Sequence, residues 1–69
     1  MMNELIHFRK NLNKTRKEMA EILGVSKSLY EKIETRERNP SYHFILNFKK
    51  TFPTADIERI FFMQTINES

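Results

Sequence analysis

Side chains able to do chemistry are unevenly distributed in this chain of 69 residues. For catalysis or metal binding the inventory is poor. There is no cysteine, Asp56 is the one aspartate, and the two histidines, His7 and His43, show no ligand-like spacing. Both read as surface or half-buried side chains rather than as bases or ligands. The single glycine, Gly24, leaves no glycine-rich loop to cradle a phosphate. No catalytic residue, cofactor or metal site is expected. What the chain does carry is cationic donors. Residues 9–38 hold nine of the twelve basic side chains and five of the nine acidic ones, a net +4, against −1 over the rest. Lysine and arginine donate hydrogen bonds and accept none, so such a stretch suits phosphate oxygens and is the electrostatic footprint of nucleic-acid contact. The bland alternative is a solvated face of mixed charge.

The elements that would position these donors are legible from apolar spacing. In Arg16–Glu34, RKEMAEILGVSKSLYEKIE, the apolar residues Met19, Ala20 and Leu23 follow helical spacing, Gly24 interrupts, and Tyr30 and Ile33 resume the period after Ser26. Two short helices joined by a tight turn are predicted. Thr15 can cap the first, with Glu18 as its capping-box partner, and Ser26 can cap the second. Gly24 sits where the chain must leave a helix, a place that favours positive φ.

This segment resembles the helix-turn-helix of the Xre/Cro-type repressors of bacteria and their phages, whose pattern includes Ala20, Gly24, Val25, Ser26, Ile33 and Glu34 as they stand here. The resemblance extends over roughly residues 4–62 through Arg9, Asn39-Pro40-Ser41 and the closing 57–62 segment. It implies an all-α, five-helix, lambda-repressor-like domain with its helix-turn-helix at about 16–34 and its second helix in the DNA major groove. It also implies an internal ion pair between Arg9 and Glu34 that ties helix one to the end of the recognition helix. The alternative for Arg9 is a phosphate contact. Four positions depart from the family pattern: Asn13 replaces a glycine, Lys14 an apolar residue, Arg16 a glutamine, and Arg36 a glycine where the recognition helix ends.

The remaining helices follow from capping and periodicity. Asn3 caps a first helix that buries Leu5, Phe8 and Leu12, and Asn13 ends it in the left-handed conformation asparagine tolerates. Asn39-Pro40 reverses the chain and Ser41 caps a fourth helix over 42–52, with Tyr42, Ile45, Phe48, Lys49 and Phe52 at helical spacing and Phe44 and Leu46 widening the face. Pro53 stops it. Thr54 or Asp56 caps a last helix carrying Ile57, Ile60, Phe61, Phe62, Met63 and Ile66. Sixty-nine residues suffice for one domain, 1–69, whose core must hold without disulfide or metal. No apolar run is long enough for a membrane span and the N-terminus lacks the pattern of a signal peptide, so a cytoplasmic protein is expected.

Within the implied complex, each class of contact has candidates. Lys27 can donate to guanine O6 and N7, Ser28 can pair with several bases, Leu29 can touch a thymine methyl, and Lys32, one turn on, can reach a base or a phosphate. The family's usual glutamine at the position of Arg16 touches both base and phosphate, so Arg16 joins the base-contact set or serves by charge alone. Phosphate anchors fall at Thr15 and Lys17, where a helix N-terminus offers free N–H groups, and at Arg36, Arg38 and Asn39 in the following loop. Ser41 and the Tyr42 hydroxyl extend this set, with Tyr42 in the core as the competing reading. Tyr30 and Ile33 face the core.

One recognition helix reads few base pairs, so two half-sites and a two-fold dimer are expected. Phe61, Phe62, Met63 and Ile66 are assigned to that dimer interface, the alternative being that they close the monomer core. The reading is a transcriptional repressor binding a palindromic operator in double-stranded DNA as a homodimer, with no sensor domain. Two rivals stand beside it: an antitoxin of the same fold with a toxin as protein partner, and a protein-interaction module without specific DNA binding.

Overall fold

Side-chain caps fix where the helices begin. The computed structural model describes residues 3–62. Asn3 Oδ1 accepts from the Ile6 N–H at 3.0 Å and opens α1, Glu4–Asn11. Thr15 and Glu18 form the reciprocal capping box that opens α2, Arg16–Leu23: Thr15 Oγ1 accepts from the Glu18 N–H at 3.1 Å, and Glu18 Oε1 accepts from the Thr15 N–H at 2.8 Å. The latter bond, more than the neighbouring Lys14 charge, holds the Glu18 carboxyl below its ordinary range. Ser26 Oγ caps α3, Lys27–Glu34, through the Leu29 N–H, and Ser41 Oγ caps α4, Tyr42–Thr51, through the Phe44 N–H. Each cap satisfies a donor that the helix itself cannot.

Positive φ ends three of these stretches. Asn13 has φ 57°, Gly24 φ 72° and Arg36 φ 68°. At Gly24 the chain closes with the Val25 N–H bonded to the Ala20 carbonyl at 3.0 Å, the wide bond of a Schellman turn. Arg36 occupies the left-handed position that would suit glycine, so α3 stops at Glu34 and does not run on.

Four α-helices and a closing π-helical segment, α5 over Glu58–Phe62, make up the described residues, with no strand among them. Leu5, Met19, Ala20, Leu23, Tyr30, Ile33, Phe44, Phe48, Ala55 and Ile60 form the core. Phe48 lies at its centre, fully buried, with the rings of Phe8, Phe52 and Phe61 at 5.3, 5.1 and 5.2 Å.

Several expectations change. The buried stripe of α4 runs through Phe44 and Phe48 to Phe52 rather than through Tyr42; Tyr42 is 73% exposed, which removes it from the core. Leu46 is exposed, and Lys49 sends its ammonium to the Pro53 and Ala55 carbonyls at 2.8 and 3.1 Å, closing the α4–α5 connection. Leu12 lies at the edge of the buried face, not within it. Asp56 is the cap of the last element, through Oδ1 to the Arg59 N–H, and the element winds as a π-helix. Its wider turn is accompanied by the burial of both Ile60 and the edge of Phe61, with Phe62 left outside.

Candidate nucleic-acid interface

The position of α3 is fixed at its C-terminal end by one buried carboxylate. Glu34 is 1% exposed, and three side chains donate to it. Arg9 Nε reaches Oε2 at 2.7 Å, Arg16 Nε reaches Oε1 at 3.0 Å, and the Tyr30 hydroxyl, one helical turn back, reaches Oε2 at 2.8 Å. Asn3 Nδ2 donates to the Glu34 carbonyl, so the residue that caps α1 also holds the end of α3. Burial pushes the Glu34 carboxyl up, but the bonds from Arg9 and Tyr30, with the charge of Arg9 and the bond from Arg16, outweigh it and hold the group below its ordinary value. Reciprocally, the bond to Glu34 raises Arg9, and burial followed by the bond to Glu34 raises Tyr30. The cluster therefore stays ionised, with Tyr30 as a neutral donor.

Arg9 also donates from Nη1 to the Lys14 carbonyl at 3.0 Å, and its side chain is only 11% exposed. With its guanidinium engaged inside the fold, it positions α1 and the α1–α2 turn against α3. The expected Arg9–Glu34 pair is present. Its companions, Arg16 and Tyr30, were not foreseen, although Tyr30 and Glu34 stand four apart on one buried helix face and that spacing was a usable signal.

Burial of Tyr30, Ile33 and Glu34 defines the inward face of α3 and hence the outward one. At about 100° per residue, the direction opposite those three falls on Ser28, Thr35 and Lys32, with Glu31 and Leu29 on the two flanks and Lys27 beyond Glu31, exposed because it stands in the open first turn. Lys27, Ser28, Lys32 and Thr35 are exposed and Glu31 is half-buried. Leu29 is not on this face: it packs partly against the core, which leaves only part of its side chain for a thymine methyl. Lys27 Nζ pairs with Glu31 Oε2 at 3.1 Å, an i, i+4 contact that adds Glu31 to the residues bordering this face.

The remaining candidates border the other end of α3. The Arg16–Glu34 contact sets the N-terminus of α2 against the C-terminus of α3, so the first turn of α2 and loop 35–39 edge the same region. Arg16 stays 40% exposed and donates to Glu34 through Nε. Lys17, Arg36, Arg38 and Asn39 are exposed. Thr15 and Ser41 accept cap bonds through their hydroxyl oxygens, and each hydroxyl retains a proton to donate. Tyr42 stands in solvent beside Ser41.

The four residues assigned to a dimer interface separate. Phe61 packs edge-on against Phe44 and Phe48 at 6.2 and 5.2 Å and so belongs to the monomer's aromatic cluster. Phe62 is 50% exposed. Met63 and Ile66 lie outside the described residues. Among the described residues, no helix is long and apolar enough to cross a membrane.

Two short helices joined at Gly24, the second buried along one face and polar along the other, define the molecule as a helix-turn-helix domain. The Helix-turn-helix family model of the Cro/C1 type matches residues 5–51, from the first buried leucine of α1 to the end of α4, and the chain belongs to that family. Neither the curated proteins nor the solved structures contain a match to the chain. The protein is accordingly a DNA-binding domain of the kind used in transcription regulation, in a family that is generally non-enzymatic.

Proposed function

We propose that this protein is a sequence-specific, cytoplasmic repressor of transcription that binds a palindromic operator as a homodimer, with α3 in the major groove. The observation that carries the reading is the outward face of α3. Lys27, Ser28 and Lys32 are presented to solvent by a helix whose opposite face is locked by Tyr30, Ile33 and Glu34. In this reading Lys27 and Ser28 meet base edges, and Lys32 meets a base or a phosphate. Leu29 contributes its uncovered part, and Arg16 serves by its charge. Thr15, Lys17, Arg36, Arg38, Asn39, Ser41 and the Tyr42 hydroxyl are the phosphate donors that set register. Phe62, with Met63 and Ile66 beyond it in sequence, supplies the apolar contact between two copies. Repression then needs no further chemistry: the dimer occupies a promoter.

Selection of bound sequences from a random duplex library tests this, at about 150 mM salt, where phosphate contact alone binds weakly. The expected product is an inverted repeat with half-site centres about one helical turn apart. A single unrepeated half-site contradicts the homodimer. No enrichment contradicts sequence-specific binding.

A further inference from the structure

The Lys27–Glu31 pair is poorly explained as a device for helix stability. The better order on a helix is glutamate four residues before lysine, and here it is reversed. A cation on the first residue of a helix also faces the positive end of the macrodipole. Glu4 and Glu18 stand in the first turns of α1 and α2, whereas α3 and α4 have no acid there, and α3 begins on a lysine.

The pair makes better chemical sense as a reading head. It sets N–H donors and a carboxylate acceptor 3.1 Å apart on the flank of α3 that borders its outward face. A G·C pair presents the complementary pattern in the major groove: acceptors at guanine O6 and N7, and a donor at cytosine N4. The geometry points to Glu31 as a specificity-determining residue that accepts from cytosine N4 while Lys27 donates to the guanine of the same or the adjacent pair. Each half-site therefore contains a C·G pair under the N-terminal half of α3. This rests on α3 being the helix that enters the groove. Lys27 and Lys32 flank the carboxylate and offset its repulsion from the phosphates. Against thymine O4 or guanine O6, Glu31 sets acceptor against acceptor, so it acts by rejecting wrong sites more than by strengthening all sites.

Affinities of the wild type, Glu31→Ala and Glu31→Gln for the selected operator, and for every single-base variant of one half-site, test the assignment. The wild type is expected to lose about 5- to 150-fold when the C·G pair becomes T·A. Glu31→Ala should lose that discrimination at the one position and keep its preferences elsewhere. Glu31→Gln keeps the side chain's length and can pair with adenine N6 and N7, so its preference there should move from cytosine to adenine. Preferences unchanged in both variants, or binding weakened equally at all positions, would overturn the role of Glu31 and leave α3 as the reading helix. A wild type without base preference at any position would overturn both.

Discussion

At its C-terminal end α3 buries a carboxylate among three side-chain donors; at its N-terminal end it leaves Lys27, Ser28 and Glu31 within reach of solvent. The two ends use charge under opposite dielectric conditions. Glu34 has lost its water, so its partners must all be present, and the gain is a fixed angle between α1, α2 and α3. Lys27 keeps most of its water and Glu31 part of its own, so their pairing adds little stability. One helix thus combines an end held by buried charge with an end whose charges stay in contact with water.

The sharpest way to break this contrast is to remove the buried charge. Glu34→Ala strands Arg9 and Arg16 beside an unpaired Tyr30 hydroxyl and is expected to cost about 3–5 kcal/mol. A domain of this size has a total stability not far above about 5 kcal/mol, so the variant should keep at most about 2 kcal/mol and begin to unfold at the lowest urea concentrations, by titration followed by circular dichroism. The same group sets an acid limit. Its carboxyl lies below the ordinary 4.5 in the folded state, so its contribution is complete above that pH and is lost as pH falls through the folded value. Melting temperature should therefore drop on acidification below about pH 4.5, and Glu34→Gln should flatten that dependence.

A smaller effect separates stability from binding at Arg36. Its left-handed φ of 68° costs about 1–2 kcal/mol for a residue with a side chain, while glycine gives back about 0.4–1 kcal/mol of that through the freer unfolded chain. Arg36→Gly should stabilise the fold by at most about 1.6 kcal/mol and at the same time weaken DNA binding. The slope of log affinity against log salt should become shallower by about one phosphate. A stabilised variant with an unchanged salt slope would remove Arg36 from the phosphate set.

What the sequence made legible was local. Asn3, Thr15 with Glu18, Ser26, Ser41 and Gly24 each act within a few residues, and all stand in the roles their types imply. The Arg9–Glu34 pair came from the resemblance, since nothing in a separation of 25 residues announces a contact. The misses arise where packing chooses between local alternatives. Helix four has apolar residues on more than half its circumference, so periodicity alone could not say that Phe44 rather than Tyr42 faces inward. Phe61 and Phe62 are adjacent and alike, and only the rings of Phe44 and Phe48 decide which one is taken into the core. The charge of Arg16 points to an outside partner, whereas the closeness of α2 to the end of α3 gives its Nε a buried one.

The most direct test of the account is a paired measurement on Lys27→Ala/Ser28→Ala: urea stability and affinity for the selected operator on the same preparation. Both side chains are exposed and the Ser26 cap is untouched, so stability is expected within about 0.5 kcal/mol of the wild type. Operator affinity should fall to that of a random duplex. A double variant equally stable that still prefers the operator would show that the outward N-terminal face of α3 is not the reading surface.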